Sequence, residues 1–194
     1  MIYKRTVKTA LPKPPAEHPK DAAPSQSKKT LLEIARLPEM PVEIKKPDAA
    51  EEYFMRGLKY ESKKKYKDAA EAYKKSLKIK PHYVDAYLNL GQVHYKLGKY
   101  SEAVDVYKQA LKMRPDMQTY NKLGTLYIIS GKYSEAIDTF EQAIGIDSRN
   151  PDAHFNLGIA YFLSGDKDAA YEEYIILNRL DGKLAEELFD LLYR

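Results

Sequence analysis

A chain of 194 residues with 44% hydrophobic side chains is long enough for one sizeable domain, or for one short array of repeats with an appendage. It contains no cysteine, which excludes disulfides, thiolate metal sites and a cysteine nucleophile. No apolar run approaches the length of about 18 residues that a membrane-spanning helix needs, so membrane insertion is not expected.

The net charge of +4 is unevenly distributed along the chain. Residues 1–47 carry 10 Lys/Arg and 5 Asp/Glu, residues 48–83 carry 10 and 6, and residues 84–194 carry 12 and 17. Such a basic front and acidic back usually serve solubility and electrostatic steering. No nucleic-acid partner is expected, because no basic stripe with stacking aromatics is evident on one face.

The front of the chain, residues 1–47, differs in composition from the rest. Residues 1–30 hold five prolines among Ala, Lys and Ser, which is typical of a disordered or polyproline-like segment. We therefore predict a basic, Pro-rich N-terminal arm, with a short helix near 28–37 where four apolar residues precede Pro38. The basic start lacks the apolar core of a secretory signal, so a cytoplasmic location is expected, provided that Met1 is the native start.

Residues 48–182 contain four copies of one pattern, aligned on glycines that are 34, 33 and 34 residues apart: Gly57, Gly91, Gly124 and Gly158. Four further columns agree. They are an aromatic or His four residues before the glycine (Tyr53, Tyr87, Tyr120, His154), a Tyr or His three after (Tyr60, His94, Tyr127, Tyr161), an Ala twelve after (Ala69, Ala103, Ala136, Ala170) and an aromatic ring sixteen after (Tyr73, Tyr107, Phe140, Tyr174). This agreement excludes chance.

Each unit has the apolar spacing of two helices. In the second unit, apolar residues recur at helical spacing over 85–97 and again over 101–113. Gly98 ends the first of these helices, as glycine does where a left-handed residue is needed. Gly91 and Ala103 lack side-chain bulk where the two helices would cross, so the backbones are expected to approach closely there.

This pattern resembles the tetratricopeptide repeat (TPR) family, whose unit carries an aromatic, a Leu-Gly pair, a Tyr, an Ala, an aromatic, a small residue and a Pro. The second unit matches with Tyr87, Leu90-Gly91, His94, Ala103, Tyr107, Ala110 and Pro115. Departures cluster in the outer units, where Arg56 replaces the leucine and Leu177 replaces the small residue. The resemblance implies an all-α fold, an α-solenoid of four helix-turn-helix units at about 50–83, 84–116, 117–150 and 151–182.

Residues 183–194 continue with one more amphipathic segment, in which Leu184, Leu188, Leu191 and Leu192 are the apolar positions. An array of repeats leaves an apolar face uncovered at its last unit. We therefore expect these residues to form a C-terminal capping helix.

The sequence GKYSEA, at 98–103 and again at 131–136, contains no catalytic pattern. Its Gly-Lys pair lacks the second glycine and the Ser/Thr of a phosphate loop. Ser101 and Ser134 have no histidine at a fixed offset, and are interpreted as residues that cap a helix. The hexapeptide is thus interpreted as a hinge between helices, and the chain is expected not to be an enzyme and to use no cofactor.

The remaining polar features are also assigned to structure. His94 and His154 occupy columns that otherwise hold tyrosine, so they are expected in the core, and no metal site is expected. Lys63-Lys64-Lys65 ends the first helix of unit one. Favourable placement at a helix C-terminus explains it best, and contact with an anion is the alternative.

The TPR resemblance implies a concave groove in which partner peptides bind, lined by one stripe of each first helix. The candidate partner-binding residues on this stripe are Phe54, Leu58, Leu88, Gln92, Tyr95, Asn121, Thr125, Ile128, Phe155, Ile159 and Phe162, and those in the row beside it are Asn89, Lys122 and Asn156. Asn89 and Asn156 suit a peptide backbone, since an amide both donates and accepts. Apolar residues at both ends of the stripe indicate either partner contact or cover by the chain's own ends. Acidic residues on one edge, namely Glu51, Asp85 and Asp152, favour a partner with a basic flank.

We therefore expect a non-catalytic TPR module that binds protein or peptide partners in its groove, as an adaptor or assembly factor. The alternative is a structural subunit of a large multiprotein complex, anchored by its N-terminal arm. A chaperone-tail clamp is disfavoured, because Phe54 and Leu58 stand where that TPR subclass carries a Lys and an Asn.

Overall fold

The computed structural model describes residues 48–193. The expectations for residues 1–47, a basic arm with a short helix near 28–37, lie outside the described residues. Between 48 and 193 the chain forms nine α-helices and no β-strand, which confirms the all-α fold class. The helices are α1 (Ala49–Ser62), α2 (Tyr66–Ile79), α3 (Val84–Lys96), α4 (Tyr100–Met113), α5 (Met117–Ile129), α6 (Tyr133–Ile146), α7 (Pro151–Ser164), α8 (Lys167–Leu180) and α9 (Gly182–Tyr193).

Helices that follow each other in the chain pack against each other. α1 pairs with α2, α3 with α4, α5 with α6 and α7 with α8, and these pairs are called repeats one to four below. The second helix of each repeat also packs against the first helix of the next repeat. Such nearest-neighbour packing defines a helical repeat solenoid. Within 48–193, no helix combines the length and apolar character needed to cross a membrane.

The turn inside each repeat has the same backbone geometry four times. The turn residue has a positive φ in every case: 57° at Lys64, 71° at Gly98, 70° at Gly131 and 94° at Gly165. The next amide then donates to a carbonyl five residues earlier, as Lys99 N–H does to His94 O at 2.9 Å. This is the Schellman arrangement, and it confirms the helix-ending role predicted for Gly98. Repeat one alone places a lysine in this conformation.

Four helix N-termini, those of α1, α5, α7 and α8, are capped by an acidic residue or asparagine, whereas α2, α3, α4 and α6 have no side-chain cap. Asp48, Asp116, Asn150 and Asp166 each accept a hydrogen bond from a backbone amide three residues later. The capping role expected for Ser101 and Ser134 is wrong. Both are exposed and stand at the second position of α4 and α6, where the helix has already begun: the carbonyl of the preceding Lys99 or Lys132 accepts the first helical hydrogen bond.

The repeated glycines make room for an aromatic ring. A Cβ added at Gly91 would lie 2.6 Å from Cε1 of the Tyr107 ring, and one at Gly124 would lie 2.6 Å from the Phe140 ring. Gly57 has the same relation to the ring of Tyr73. The sequence therefore predicted the small column correctly, but the group that approaches the glycine is a ring of the second helix and not its backbone.

Repeat four departs from this arrangement. A Cβ at Gly158 would meet Leu188 of α9, 2.6 Å away, and Tyr174 does not occupy the ring position. Tyr174 instead stacks on Tyr171 at 5.5 Å and contacts Phe189 of α9 at 5.4 Å. The capping helix α9 thus supplies the side chain that packs on the glycine of the last repeat, which is how it closes the end of the core.

Candidate partner-binding face

The fourteen candidate residues lie on α1, α3, α5 and α7, the first helix of each repeat, and are called the groove face. Their apolar members are partly buried against three core clusters. Phe54 and Leu58 pack against the core of repeats one and two, and Leu88, Tyr95 and Ile128 against the core of repeats two to four. Phe155, Ile159 and Phe162 pack against the cluster formed with α9.

A cavity of about 190 Å³ opens between α3 and α5, in the middle of the groove face. Its lining comprises Gln92, Tyr95, Lys122 and Thr125, all of which were predicted, together with Tyr107 and Leu126. These last two were missed because their columns are core columns, and both residues are buried. The position of a residue in the repeat shows which face of its helix it occupies, but not how deep an opening between two helices reaches. The sequence therefore carried no signal that Tyr107 and Leu126 line the cavity.

Polar groups around this cavity are partly engaged with the protein itself. The Tyr107 hydroxyl, whose pKa is raised by burial, donates to Oε1 of Gln92 at 3.4 Å. The Thr125 hydroxyl donates to the carbonyl of Asn121 at 2.9 Å. Lys122, also in the lining, is exposed. The cavity therefore combines an apolar floor with an amide and a cation at its edge.

The asparagines of the groove face differ from one another. Asn89 Nδ2 donates to the carbonyl of Asp85 at 2.8 Å, one turn back in its own helix. Asn121 Oδ1 is buried and accepts no hydrogen bond from the described residues. Asn156 is half-buried on α7. One of the two amides assigned to a peptide backbone thus already donates within its own helix.

The apolar ends of the groove face contact neighbouring parts of the array. The Phe54 ring lies 5.7 Å from the ring of Tyr73 and 4.9 Å from that of Tyr83. At the other end, Phe155 and Phe162 share a cluster with Leu188 of α9. Cover by the chain's own elements therefore accounts for part of the apolar surface at each end.

Two of the three acidic residues on the groove edge are paired with basic residues of the chain. Asp85 Oδ1 lies 3.0 Å from Nη2 of Arg114, and Glu51 Oε1 lies 4.0 Å from Nζ of Lys80. Both pairs are about half exposed, and such pairs are weak. A basic flank of a partner would compete with these internal cations, so the attraction expected from the acidic edge is reduced.

Both histidines of the tyrosine columns lie in the core as predicted, with 3% of His94 and 5% of His154 exposed. Burial, followed by the nearby charge of Lys74, lowers the pKa of His94. His154 uses both ring nitrogens: Nδ1 lies 2.6 Å from Oε2 of Glu173, and Nε2 lies 3.1 Å from the carbonyl of Ser148. Because a carbonyl only accepts, Nε2 is placed to donate to Ser148, and Nδ1 faces the carboxyl group of Glu173.

The helix pairs, their regular turns and a face with an amide- and amine-edged cavity define a helical-repeat scaffold for protein interaction. Comparison with protein-family models identifies the type of repeat. A model described as TPR repeat matches residues 57–98 and 124–165, and one described as Tetratricopeptide repeat matches residues 84–117. Together the matches cover more than half of the chain, and the chain belongs to the tetratricopeptide repeat family.

Solved structures agree with this assignment. A crystal structure of MamA is 27% identical with a TM-score of 0.69, and the match covers 74% of this chain and 80% of that protein. A second MamA structure is 28% identical with a TM-score of 0.66, covering 71% and 82%. A tetratricopeptide repeat protein from Parabacteroides merdae ATCC 43184, 19% identical with a TM-score of 0.69 over 74% and 58%, shows the shared fold alone. No curated protein matches the chain.

Proposed function

We propose that the protein is a non-catalytic adaptor or assembly factor that binds a partner peptide on its groove face. The observation that carries this proposal is the cavity of about 190 Å³ between α3 and α5, which coincides with four of the fourteen candidate residues. The proposal includes the division of the chain into an arm at 1–47, four repeats at 48–182 and a capping helix at 183–194.

The lining of the cavity defines the chemistry of the peptide. Its floor, formed by Tyr107 and Leu126, accepts one apolar side chain. Gln92 and Lys122 stand at the edge, where an amide can pair with the peptide backbone and an ammonium group with a carboxylate or a carbonyl. The peptide therefore carries one apolar anchor flanked by an acceptor, while the covered ends of the groove face contribute less.

The test is a selection from a random peptide library on the full-length protein, followed by fluorescence polarisation with the selected peptides. The double variant Gln92→Ala/Lys122→Ala should weaken binding by about tenfold or more, because it removes both polar edge groups. The matched control Gln109→Ala/Lys112→Ala removes the same side-chain types from exposed positions of α4.

Equal binding by the groove variant and the control would reject the groove face as the binding site. Binding that disappears only when residues 1–47 are deleted would instead favour a subunit anchored by its arm. Circular dichroism of each variant checks that helicity is unchanged.

A further inference from the structure

Repeat one carries a group of six cationic residues, here called the basic patch: Arg56, Lys59, Lys63, Lys64, Lys65 and Lys67. Arg56 and Lys59 lie three residues apart in α1 and so share one face of that helix, and Lys63 is its C-cap residue, four positions further on. The others follow in the turn and at the start of α2. The patch is therefore continuous along α1 and around its C-terminal turn.

Two clefts lie within the basic patch and meet at Lys65. One, of about 310 Å³, is lined by Arg56, Lys59, Lys63 and Lys65 together with Tyr60. The other, of about 420 Å³, is lined by Lys64–Lys67, Asp68 and Leu97. Asp68 is the one carboxylate in either lining, so an anionic group in these clefts would be surrounded mainly by positive charge.

All six side chains are exposed, and none forms an ion pair with a carboxylate among residues 48–193. In the other repeats the positions of Arg56 and Lys59 are apolar and pack against the preceding repeat, as Leu90 and Val93 do in repeat two. An end repeat needs polar residues at these positions, but polarity alone does not require that they all be cationic.

Lys64 gives the independent observation. Its φ of 57° lies in the left-handed region, at the position where repeats two to four have Gly98, Gly131 and Gly165. A residue with a Cβ is strained in that conformation, and glycine is not. The turn therefore places a lysine where its own backbone geometry favours glycine, which adds charge to the centre of the patch against the local preference.

We propose that the basic patch binds an acidic, Asp/Glu-rich segment of a partner protein. The chain's own arm does not fit, because residues 1–47 carry 10 basic against 5 acidic residues. Repeat one of a second copy carries the same positive charge and does not fit either. Nucleic acid fits less well than a protein segment, because Tyr60 and Tyr66, which line the clefts, are partly buried against the core of repeats one and two, so only part of each ring is left for a base.

This surface is distinct from the groove face, so the two proposals can fail separately. The test measures binding of a fluorescein-labelled oligo-glutamate peptide to the full-length protein at a salt concentration of about 0.15 M. Lys64→Gly should weaken binding about two- to fivefold without lowering the melting temperature, since it removes one charge and relieves the turn. Lys59→Ser/Lys63→Ser/Lys65→Ser should weaken it by about tenfold or more.

The control Lys112→Ser/Lys132→Ser/Lys183→Ser removes three exposed lysines outside repeat one that, like those of the patch, form no ion pair among residues 48–193, and it should change binding less than about twofold. If the control weakened peptide binding as much as the patch variant does, the proposal would be overturned. It would also be overturned if the peptide did not bind at all. If a single-stranded oligonucleotide or phosphatidylserine vesicles bound more tightly at the same total charge, the proposal would be overturned, and that ligand would be the partner of the basic patch. Sedimentation shows whether self-association accounts for any signal, which would also overturn the proposal.

Discussion

At the scale of single residues, the turn inside each repeat has the same left-handed backbone conformation, although the residue that adopts it differs. The turn needs a left-handed residue followed by a hydrogen bond to a carbonyl five residues earlier, and all four repeats have both. Three of them meet the first requirement with glycine, and repeat one meets it with Lys64. The hydrogen bonds are the same, since Lys65 N–H donates to Tyr60 O at 2.9 Å, and the strain alone differs.

We predict that Lys64→Gly stabilises the protein. Relief of the left-handed strain is worth about 1–2 kcal/mol, and the greater freedom of glycine in the unfolded chain removes part of this, leaving about 0.5–1 kcal/mol. The free energy of unfolding from urea titration checks it. Lys74→Gly, at an exposed position in the interior of α2, serves as the opposite control and should lower that free energy by about 1 kcal/mol. A decrease for Lys64→Gly would contradict the strain argument.

The buried pair of His154 and Glu173 predicts a dependence of stability on pH. Burial raises the pKa of Glu173 above its ordinary value of 4.5. A raised folded-state pKa means that the contribution of this carboxyl is full below pH 4.5 and is lost as pH rises through the folded pKa. Glu173→Gln keeps a hydrogen-bonding group beside Nδ1 of His154 and removes the titration.

The variant Glu173→Gln should therefore gain stability relative to the wild type as pH rises above 4.5, the ordinary value of the carboxyl. Thermal melts across a pH series measure this difference. Asn178→Gln, an exposed substitution on the same helix that neither adds nor removes a titratable group, is the control and should change stability equally at all pH values. A difference for Glu173→Gln that does not vary with pH would show that its carboxyl ionises normally in the folded protein.

At the scale of helices, the glycine column and the ring column form one packing unit in repeats one to three. The spacing of sixteen residues between Gly91 and Tyr107 was visible in the sequence, and the structure places that ring on that glycine. Repeat four keeps this spacing between Gly158 and Tyr174, yet Tyr174 does not pack on that glycine. Leu177 is large where the other repeats have Ser or Ala, and Leu188 of α9 packs on Gly158 in place of a ring. The column pattern of the inner repeats therefore does not predict the packing at the end of the array.

We predict that Gly91→Ala destabilises the protein by about 1–3 kcal/mol. Its new Cβ would lie 2.6 Å from Cε1 of Tyr107, and the ring is fully buried, so overpacking has no easy relief. Gly145 in α6 is the matched control, since a Cβ there meets nothing within 4 Å. Gly145→Ala should raise the free energy of unfolding by about 0.5 kcal/mol through helix propensity. Equal effects of the two substitutions would contradict the ring contact.

At the scale of the whole molecule, the sequence predicted the class of fold, the repeats and the capping helix, because periodic spacing reports which side chains share a face. It predicted less of the candidate site. Tyr107 and Leu126 line the cavity although they belong to core columns, and Arg114 pairs with Asp85 across 29 residues of chain. Depth and cross-helix pairing depend on how helices are placed in space, which the spacing within one helix does not specify.

The linear arrangement of the repeats predicts that damage at the C-terminal end stays local. Leu188 is fully buried against Gly158, whereas Leu191 on the same helix is 52% exposed. Leu188→Ala should cost about 2–4 kcal/mol in the last repeat, and Leu191→Ala much less. Since each repeat is stabilised by its own packing and that of its neighbours, hydrogen exchange should accelerate in α7–α9 and stay unchanged in α1–α3. Uniform acceleration through all helices would mean that the array unfolds as one cooperative unit, and that α9 stabilises the whole of it.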